Sequence, residues 1–364
     1  MNRAAHHLTT LLGIRHPIVQ APMVGVSTPR LAAEVSNAGA LGSIGVGAST
    51  PAQARDMIAQ TRALTAAPFN VNLFCHAPAV RDAAREQAWL RHLAPLFAQA
   101  GGTPPAALGE IYRTFVADEA MLAVLLAARP AVVSFHFGLP AQPQLHALRQ
   151  AGIRTMATAT NLAEAAAIDA AGIDVIVAQG IEAGGHRGMF DPAADDQRLP
   201  TATLVRLLAR QSRRPVLAAG GIMDGPGIQA ALDSGAAGAQ LGTAFILCPE
   251  SAASAGHRAA LQDERAAHTV LTAVLSGRPA RGLANRLVAH GEAAGSPAPA
   301  DYPVAYDATK QLNALAARHG VEDFAVHWAG QAAALARAMP AAQLLRTLLA
   351  ERQAVLDARA PAAA

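Results

Sequence analysis

The feature that most constrains this chain is an alternation. Eight short segments rich in apolar and β-branched residues recur along it, namely Pro17–Met23, Ala40–Gly45, Phe69–Phe74, Ala131–Phe137, Arg154–Ala159, Asp174–Gln179, Pro215–Ala219 and Ala239–Gly242. Between them lie Ala/Leu-rich stretches of helical period: Pro29–Ala38, Pro51–Leu64, Pro143–Ala151, Leu162–Ala170, Thr201–Gln211 and Pro226–Ser234. Strand and helix in turn are the pattern of βα units building a parallel sheet, and eight is the number at which such a sheet closes. Segments such as Val175-Ile176-Val177-Ala178 are apolar without interruption, as strands buried on both faces require. Helices that open on proline use a residue whose fixed φ and missing N–H suit the first turn. The predicted fold is an α/β (β/α)8 TIM barrel. A chain of 364 residues holds one barrel with additions, since the bare barrel needs ~250.

The additions fall in two places. Cys75–Pro130 is far longer than an ordinary βα connection and is expected to carry helices of its own, Ala79–Ala98 and Ala117–Ala128, as part of a lid. Pro249–Tyr306 is poor in strand signal, ends in the Gly/Pro/Ala-rich stretch Gly291–Ala300, and reads as an irregular excursion. Helical patterning returns from Ala308 to about Arg359, before a Pro/Ala tail expected to fray. The expected organisation is a barrel over 1–248 with an insertion at about 75–130, a capping excursion over 249–310, and helices over 311–359 packing on the barrel.

Composition narrows the function. With 52% hydrophobic and 15% charged residues the chain can bury a large core, yet no apolar run reaches the ~20 residues of a membrane span. Met1 to Thr10 holds no secretion signal, and Cys75 and Cys248 are too few for a disulfide framework, so the expected address is the cytoplasm. A net charge of +3 with scattered arginines argues against a nucleic-acid partner. Thirteen dispersed histidines and no HExxH pattern argue against a bound metal. Of the 29 basic side chains Lys310 is the only lysine, which singles out a position where a compact ammonium is wanted or has merely survived.

A parallel barrel works at the C-terminal ends of its strands, and there the polar and glycine residues gather. The ends read Gln20-Ala21-Pro22-Met23, Asn72, His136-Phe137-Gly138, Gln179-Gly180 running on to Glu182-Ala183-Gly184-Gly185-His186, Gly220-Gly221, and Gln240-Leu241-Gly242-Thr243. Glycines on the last two strands either turn the chain or let backbone N–H groups approach a phosphate; their pairing on adjacent strands favours a phosphate-bearing cofactor. No GxGxxG follows the first strand, so a Rossmann site is not supported.

These segments, with Phe69-Asn70-Val71-Asn72, Ser134–Gly138, Ala218–Ile222 and Gly238–Phe245, occur in order along the chain and resemble the nitronate monooxygenase family. Tyr302-Pro303-Val304-Ala305-Tyr306 with Lys310 is similar to the bacterial class acting on propionate 3-nitronate. The resemblance implies FMN as cofactor, held by Ala21, Met23, Asn72, Gln179, Gly184, Gly220, Gly221, Gln240, Leu241, Gly242 and Thr243. It implies His186 as the catalytic residue beside the flavin ring, with an imidazole near its ordinary pKa of ~6.5 able to take a proton. Tyr112, His136, Tyr302, Tyr306 and Lys310 would bind the substrate through hydroxyl donors and positive charge, and on a helix the spacing of Tyr302, Tyr306 and Lys310 would put them on one face. The implied partners are a small nitronate and O2, the product malonic semialdehyde with nitrite or nitrate, and the purpose detoxification. Two other readings stay open: an FMN barrel reduced by NAD(P)H, and a phosphate-binding barrel that senses a ligand without turnover.

Overall fold

The computed structural model describes residues 3–359, so the tail beyond Arg359 lies outside the described residues. Eight parallel strands form one sheet: β1 (Ile18–Gln20), β2 (Gly42–Gly45), β3 (Phe69–Phe74), β4 (Val132–His136), β5 (Arg154–Ala159), β6 (Val175–Gln179), β8 (Val216–Ala219) and β9 (Gly238–Leu241), with a two-residue β7 (Gly185–His186) outside it. The hydrogen-bonded order runs β1-β9-β8-β6-β5-β4-β3-β2. The ring closes where β1 meets β2, through the parallel bridge Val19–Leu41 and the bonds Gln20 N–H to Leu41 O (2.9 Å) and Leu41 N–H to Ile18 O (3.0 Å). All eight expected strands are present. They stop at or before the expected ends at β1, β4 and β9, because the backbone there peels off to line the cavity above.

Strand pleat sorts the side chains. Val132, Met156, Val175, Val177 and Leu217 fill the barrel with Leu8 and Leu12, while the alternate residues Val133, Ala157, Ile176, Ala178 and Ala218 pack outward under the helices. Leu8 and Leu12 belong to a helix, Arg3–Leu12, that the sequence reading did not anticipate; its apolar face enters the barrel interior. The outer helices follow their caps. Thr50 forms a capping box with Gln53 ahead of Pro51, and Asp224 accepts from Gly227 N–H ahead of Pro226.

The two additions join. The insertion folds as Ala83–Gln99, capped by Asp82, and Glu119–Ala128, capped by Asp118. The excursion after β9 is more regular than expected. It carries β10 (Thr269–Thr272) and β11 (Ala280–Leu283), and β11 pairs antiparallel with both β10 and β7. Trp89, Leu93 and Phe97 of the insertion share a core with Leu287, Val304, Leu312 and Phe324. Insertion and excursion thus form one cap. The helix Val304–Ala317 runs through position 310 and belongs to that core, so a boundary at 310 would cut it. The helical patterning beyond it is interrupted too: residues 318–340 hold a short 3-10 turn and an extended piece at Trp328, which bridges Gly282, before helix Ala341–Arg359.

Candidate active site

Cap and barrel enclose a cavity of about 470 Å³ over the C-terminal strand ends. Strand period decides which residues reach it. Asn72, Phe74, Ser134, His136, Thr158, Gln179, Ala219 and Gln240 point inward and line it. Leu241, one residue on from Gln240, points the other way: it is 1% exposed within the outer core, and its carbonyl accepts from Ala21 N–H (2.8 Å). The Leu241 side chain therefore does not face the cavity, unlike its neighbours Gln240 and Gly242. Ala21, Met23, Gly184, Gly220, Gly221, Gly242 and Thr243 all line the cavity. The buried Gln20 amide shapes the first of these segments, bonding Ser27 Oγ (2.9 Å) and accepting from Ser43 N–H (2.8 Å).

At one end the wall is backbone. β8 and β9 pair at Ala219 and Gln240, so the loops that follow lie side by side. Among the described residues, nothing accepts from the N–H groups of Gly221, Ile222, Gly242 or Thr243, and all four line the cavity. Gly220 (φ +131°) and Gly221 (φ +69°) need the freedom of glycine, and a Cβ on Gly220 would sit 2.6 Å from Thr201 Oγ1. Four unpaired donors in a concave loop pair can receive an anion. Gly184 has a second reason to be glycine, since a Cβ there would come within 2.5 Å of Gly330 N.

The other end is built of side chains around His186. Its carbonyl accepts from Gln179 Nε2 (2.9 Å) and His136 Nε2 (3.1 Å), and its Nε2 meets Ser276 Oγ at 2.9 Å. The Ser276 hydroxyl is also 3.1 Å from the Arg278 carbonyl. His186 Nδ1 has no partner among the described residues. Rings of Trp328 (5.0 Å), Tyr302 (5.3 Å), Phe137 (5.6 Å) and Tyr306 (6.0 Å) surround the imidazole. Burial, then the neighbouring His136, Arg278 and His76, push its pKa well below the ordinary value. His186 is thus neutral at neutral pH, which corrects the expectation of an unperturbed imidazole.

His136 is corrected as well. Its Nε2 donates to the His186 carbonyl and its Nδ1 faces Thr158 Oγ1 at 3.0 Å, so both nitrogens are taken. Burial lowers its pKa to about 4. It therefore supports His186 and brings no positive charge to a substrate.

Tyr112, Tyr306 and Lys310 line the cavity, and the Lys310 ammonium lies over the rings of Tyr112 (4.9 Å) and Tyr306 (5.4 Å). Tyr306 and Lys310 sit one turn apart on Val304–Ala317. Tyr302 precedes that helix, so the expected common face of three residues holds only for two. Tyr302 is 6% exposed and lies behind the wall with its hydroxyl unpartnered. Burial raises the Tyr306 pKa to about 12, keeping its hydroxyl a donor. Lys310 is exposed at the mouth and forms no ion pair among the described residues; partial burial lowers its pKa against the pull of Asp307. No aspartate or glutamate among the described residues lines the cavity.

Ser276, Arg278 and Trp328 were not singled out from sequence. They stand in stretches without a motif, and only the rarity of tryptophan, at 2 in the chain, marked Trp328.

Barrel and cavity together define a (β/α)8 barrel with unpaired backbone donors at the ends of β8 and β9 and a capped aromatic pocket beside them. Comparison with known proteins places that class. The family model described as nitronate monooxygenase matches residues 5–351. A nitronate monooxygenase of Paraburkholderia phytofirmans is 60% identical over 341 residues, covering 94% of this chain and 93% of the relative. One from Pseudomonas aeruginosa is 57% identical over 343 residues, covering 94% and 98%. In structure, the nitroalkane oxidase of Streptomyces ansochromogenes matches with a TM-score of 0.89 at 40% identity over 96% of this chain and 99% of that one. The chain belongs to the nitronate monooxygenase family, flavin oxidoreductases that act on nitronates.

Proposed function

We propose that the cavity holds FMN noncovalently and that the substrate is propionate 3-nitronate, oxidised with O2 to malonic semialdehyde and nitrite or nitrate. The observation that carries this reading is electrostatic. The charge and the free backbone donors that the cavity presents suit an anion: unpaired N–H groups at one end, Lys310 at the other, and no carboxylate among the described lining residues.

The residues fit the cofactor. Gly221, Ile222, Gly242 and Thr243 would take the FMN phosphate, and the polar groups of Asn72 and Gln240, with the backbone of Ala21 to Met23, would face the ring system. Asn72 uses its amide nitrogen on Ser134 (3.0 Å), which leaves its oxygen for a ring N–H. Bound flavin supplies the electron transfer from the nitronate and the reaction with O2.

The chain's own groups do the rest. Ser276 sets what His186 offers. With its hydroxyl turned to the Arg278 carbonyl, it accepts from His186 Nε2–H and leaves a lone pair on Nδ1, which can take the α-proton of a neutral nitroalkane. Turned to Nε2 instead, it leaves the hydrogen on Nδ1, which can donate to a nitronate oxygen. Tyr306, Tyr112 and Lys310 would receive the substrate carboxylate at the mouth, and the cap keeps water from the reacting carbon. Cytoplasmic detoxification of nitro compounds is the role this chemistry would serve.

The test is aerobic turnover on two nitronates. Nitrite release and O2 uptake should be faster at low concentration with propionate 3-nitronate than with propyl nitronate, which lacks the carboxylate. Equal kcat/KM on the two would sink the substrate assignment while leaving the family activity in place.

A further inference from the structure

Arg278 lies beside this site with its charge unanswered. It is 2% exposed and takes part in none of the ion pairs of the described residues. Its guanidinium donates to the Met189 carbonyl, and its Nε is buried without a partner. Burial lowers its pKa to about 10, with Tyr302, Glu164 and Asp191 pulling the other way from beyond ion-pair distance, so it remains a cation at neutral pH. Glu164, moreover, is engaged by Thr160 and Phe190 N–H.

What the guanidinium does touch is a ring. Its central carbon stands 4.3 Å from the centroid of Phe137, and Phe137 holds a φ of +75°, a conformation that bulky residues rarely adopt. Phe137 lines the cavity and stands edge-on to His186. The ring is therefore a thin apolar wall with a cation behind it and the substrate space in front. On the same buried side, the Tyr302 hydroxyl and both nitrogens of His76 are unpartnered. A buried cation without a carboxylate is costly, and for stability alone it would be better paired or replaced by an apolar side chain. Low polarisability of the wall lets its field reach across.

We propose that Arg278 is a positioning residue that selects charge: acting through the Phe137 ring and touching no substrate, it favours the anionic nitronate over the neutral nitroalkane. The inference rests on nitronate oxidation in this cavity and adds the element that discriminates between two forms differing by one proton. The fold accepts a stability cost at this position for the sake of that selectivity.

The test compares holoenzyme variants on propyl nitronate and 1-nitropropane. In Arg278→Met, kcat/KM for the nitronate should fall about five- to tenfold while that for 1-nitropropane stays within about twofold. If 1-nitropropane is not turned over, its inhibition constant against propyl nitronate serves instead. The Tm should be unchanged or higher, since an unpaired buried charge has been removed, and Arg278→Lys should restore most of the selectivity. Equal losses on both forms, a Tm several degrees lower, or failure of Arg278→Met to fold would each overturn the proposal, because each marks Arg278 as structural. Wild-type enzyme that turns over neither propionate 3-nitronate nor propyl nitronate would instead overturn the reading of the cavity itself.

Discussion

The two ends of the cavity are made of different material. At the β8–β9 end the working groups are backbone N–H groups, spaced by the covalent chain and exposed by glycines at Gly220-Gly221 and Gly242. At the His186 end they are side chains: His186 on β7, His136 on β4, Ser276 before β11, Tyr306 and Lys310 on a cap helix, and Trp328 in an extended piece further on. A backbone site is written locally and tolerates changes elsewhere. A side-chain site exists only after barrel, insertion and excursion have come together. The first end should therefore respond to backbone-altering substitutions through cofactor occupancy, and the second to side-chain substitutions through rate, with flavin retained.

The largest effect should fall at the second end. His186→Asn is expected to keep its flavin and its Tm, and to lose about 10²–10⁴-fold in kcat/KM on a neutral nitroalkane, the usual contribution of a positioned base. Preformed nitronate, which needs no deprotonation, should lose less. Activity of the variant equal to that of the wild type on both forms would remove His186 from the mechanism.

Next comes the first end. Gly221→Val places a branched side chain where φ is +69° and a Cβ already meets Glu182 Cβ at 3.2 Å. FMN dissociation, read by fluorescence on dilution, should rise at least about tenfold, from backbone strain of the order of 1–3 kcal/mol. Should the variant purify with full flavin, the phosphate lies elsewhere.

Lys310→Met should cost about three- to tenfold in kcat/KM on propionate 3-nitronate and leave propyl nitronate unaffected; the effect is modest because the ammonium is exposed and solvent screens it. Similar losses on the two substrates would end its carboxylate role.

The smallest effect is on pH dependence. The pKa of His186 is held below its ordinary value, so the neutral imidazole persists as pH falls through ~6.5, and protonation sets in only at lower pH. Assayed with preformed nitronate, kcat/KM should change by less than about twofold between pH 6 and 8. A limb centred near 6.5 would show that His186 titrates freely.

The same contrast explains what could be read from the chain alone. The barrel was legible because eight apolar segments at strand period need no partner information to be recognised, and β3 and β5 fall on their expected residues. The glycine loops that line the cavity were legible for a similar reason, since glycine pairs mark themselves. The direction of Leu241 was not legible because being near a motif does not say which face a side chain takes; the pleat that sends Gln240 inward sends Leu241 out. The neutral state of His136 was not legible because its partners, Thr158 and the His186 carbonyl, lie 22 and 50 residues away. β10 and β11 were missed because four-residue strands rich in Thr, Gly and Arg carry little apolar periodicity. Arg278 looks like any other arginine until its missing carboxylate is seen.

The central claim is that a flavin in this cavity takes electrons from an anionic nitronate. The most direct measurement is the visible spectrum of the purified protein mixed anaerobically with propionate 3-nitronate, and separately with NADH. The account expects a yellow protein carrying noncovalent FMN whose absorbance near the flavin maximum changes promptly with the nitronate and persists with NADH. Prompt bleaching by NADH with no response to the nitronate would contradict it and return the barrel to the reductase reading.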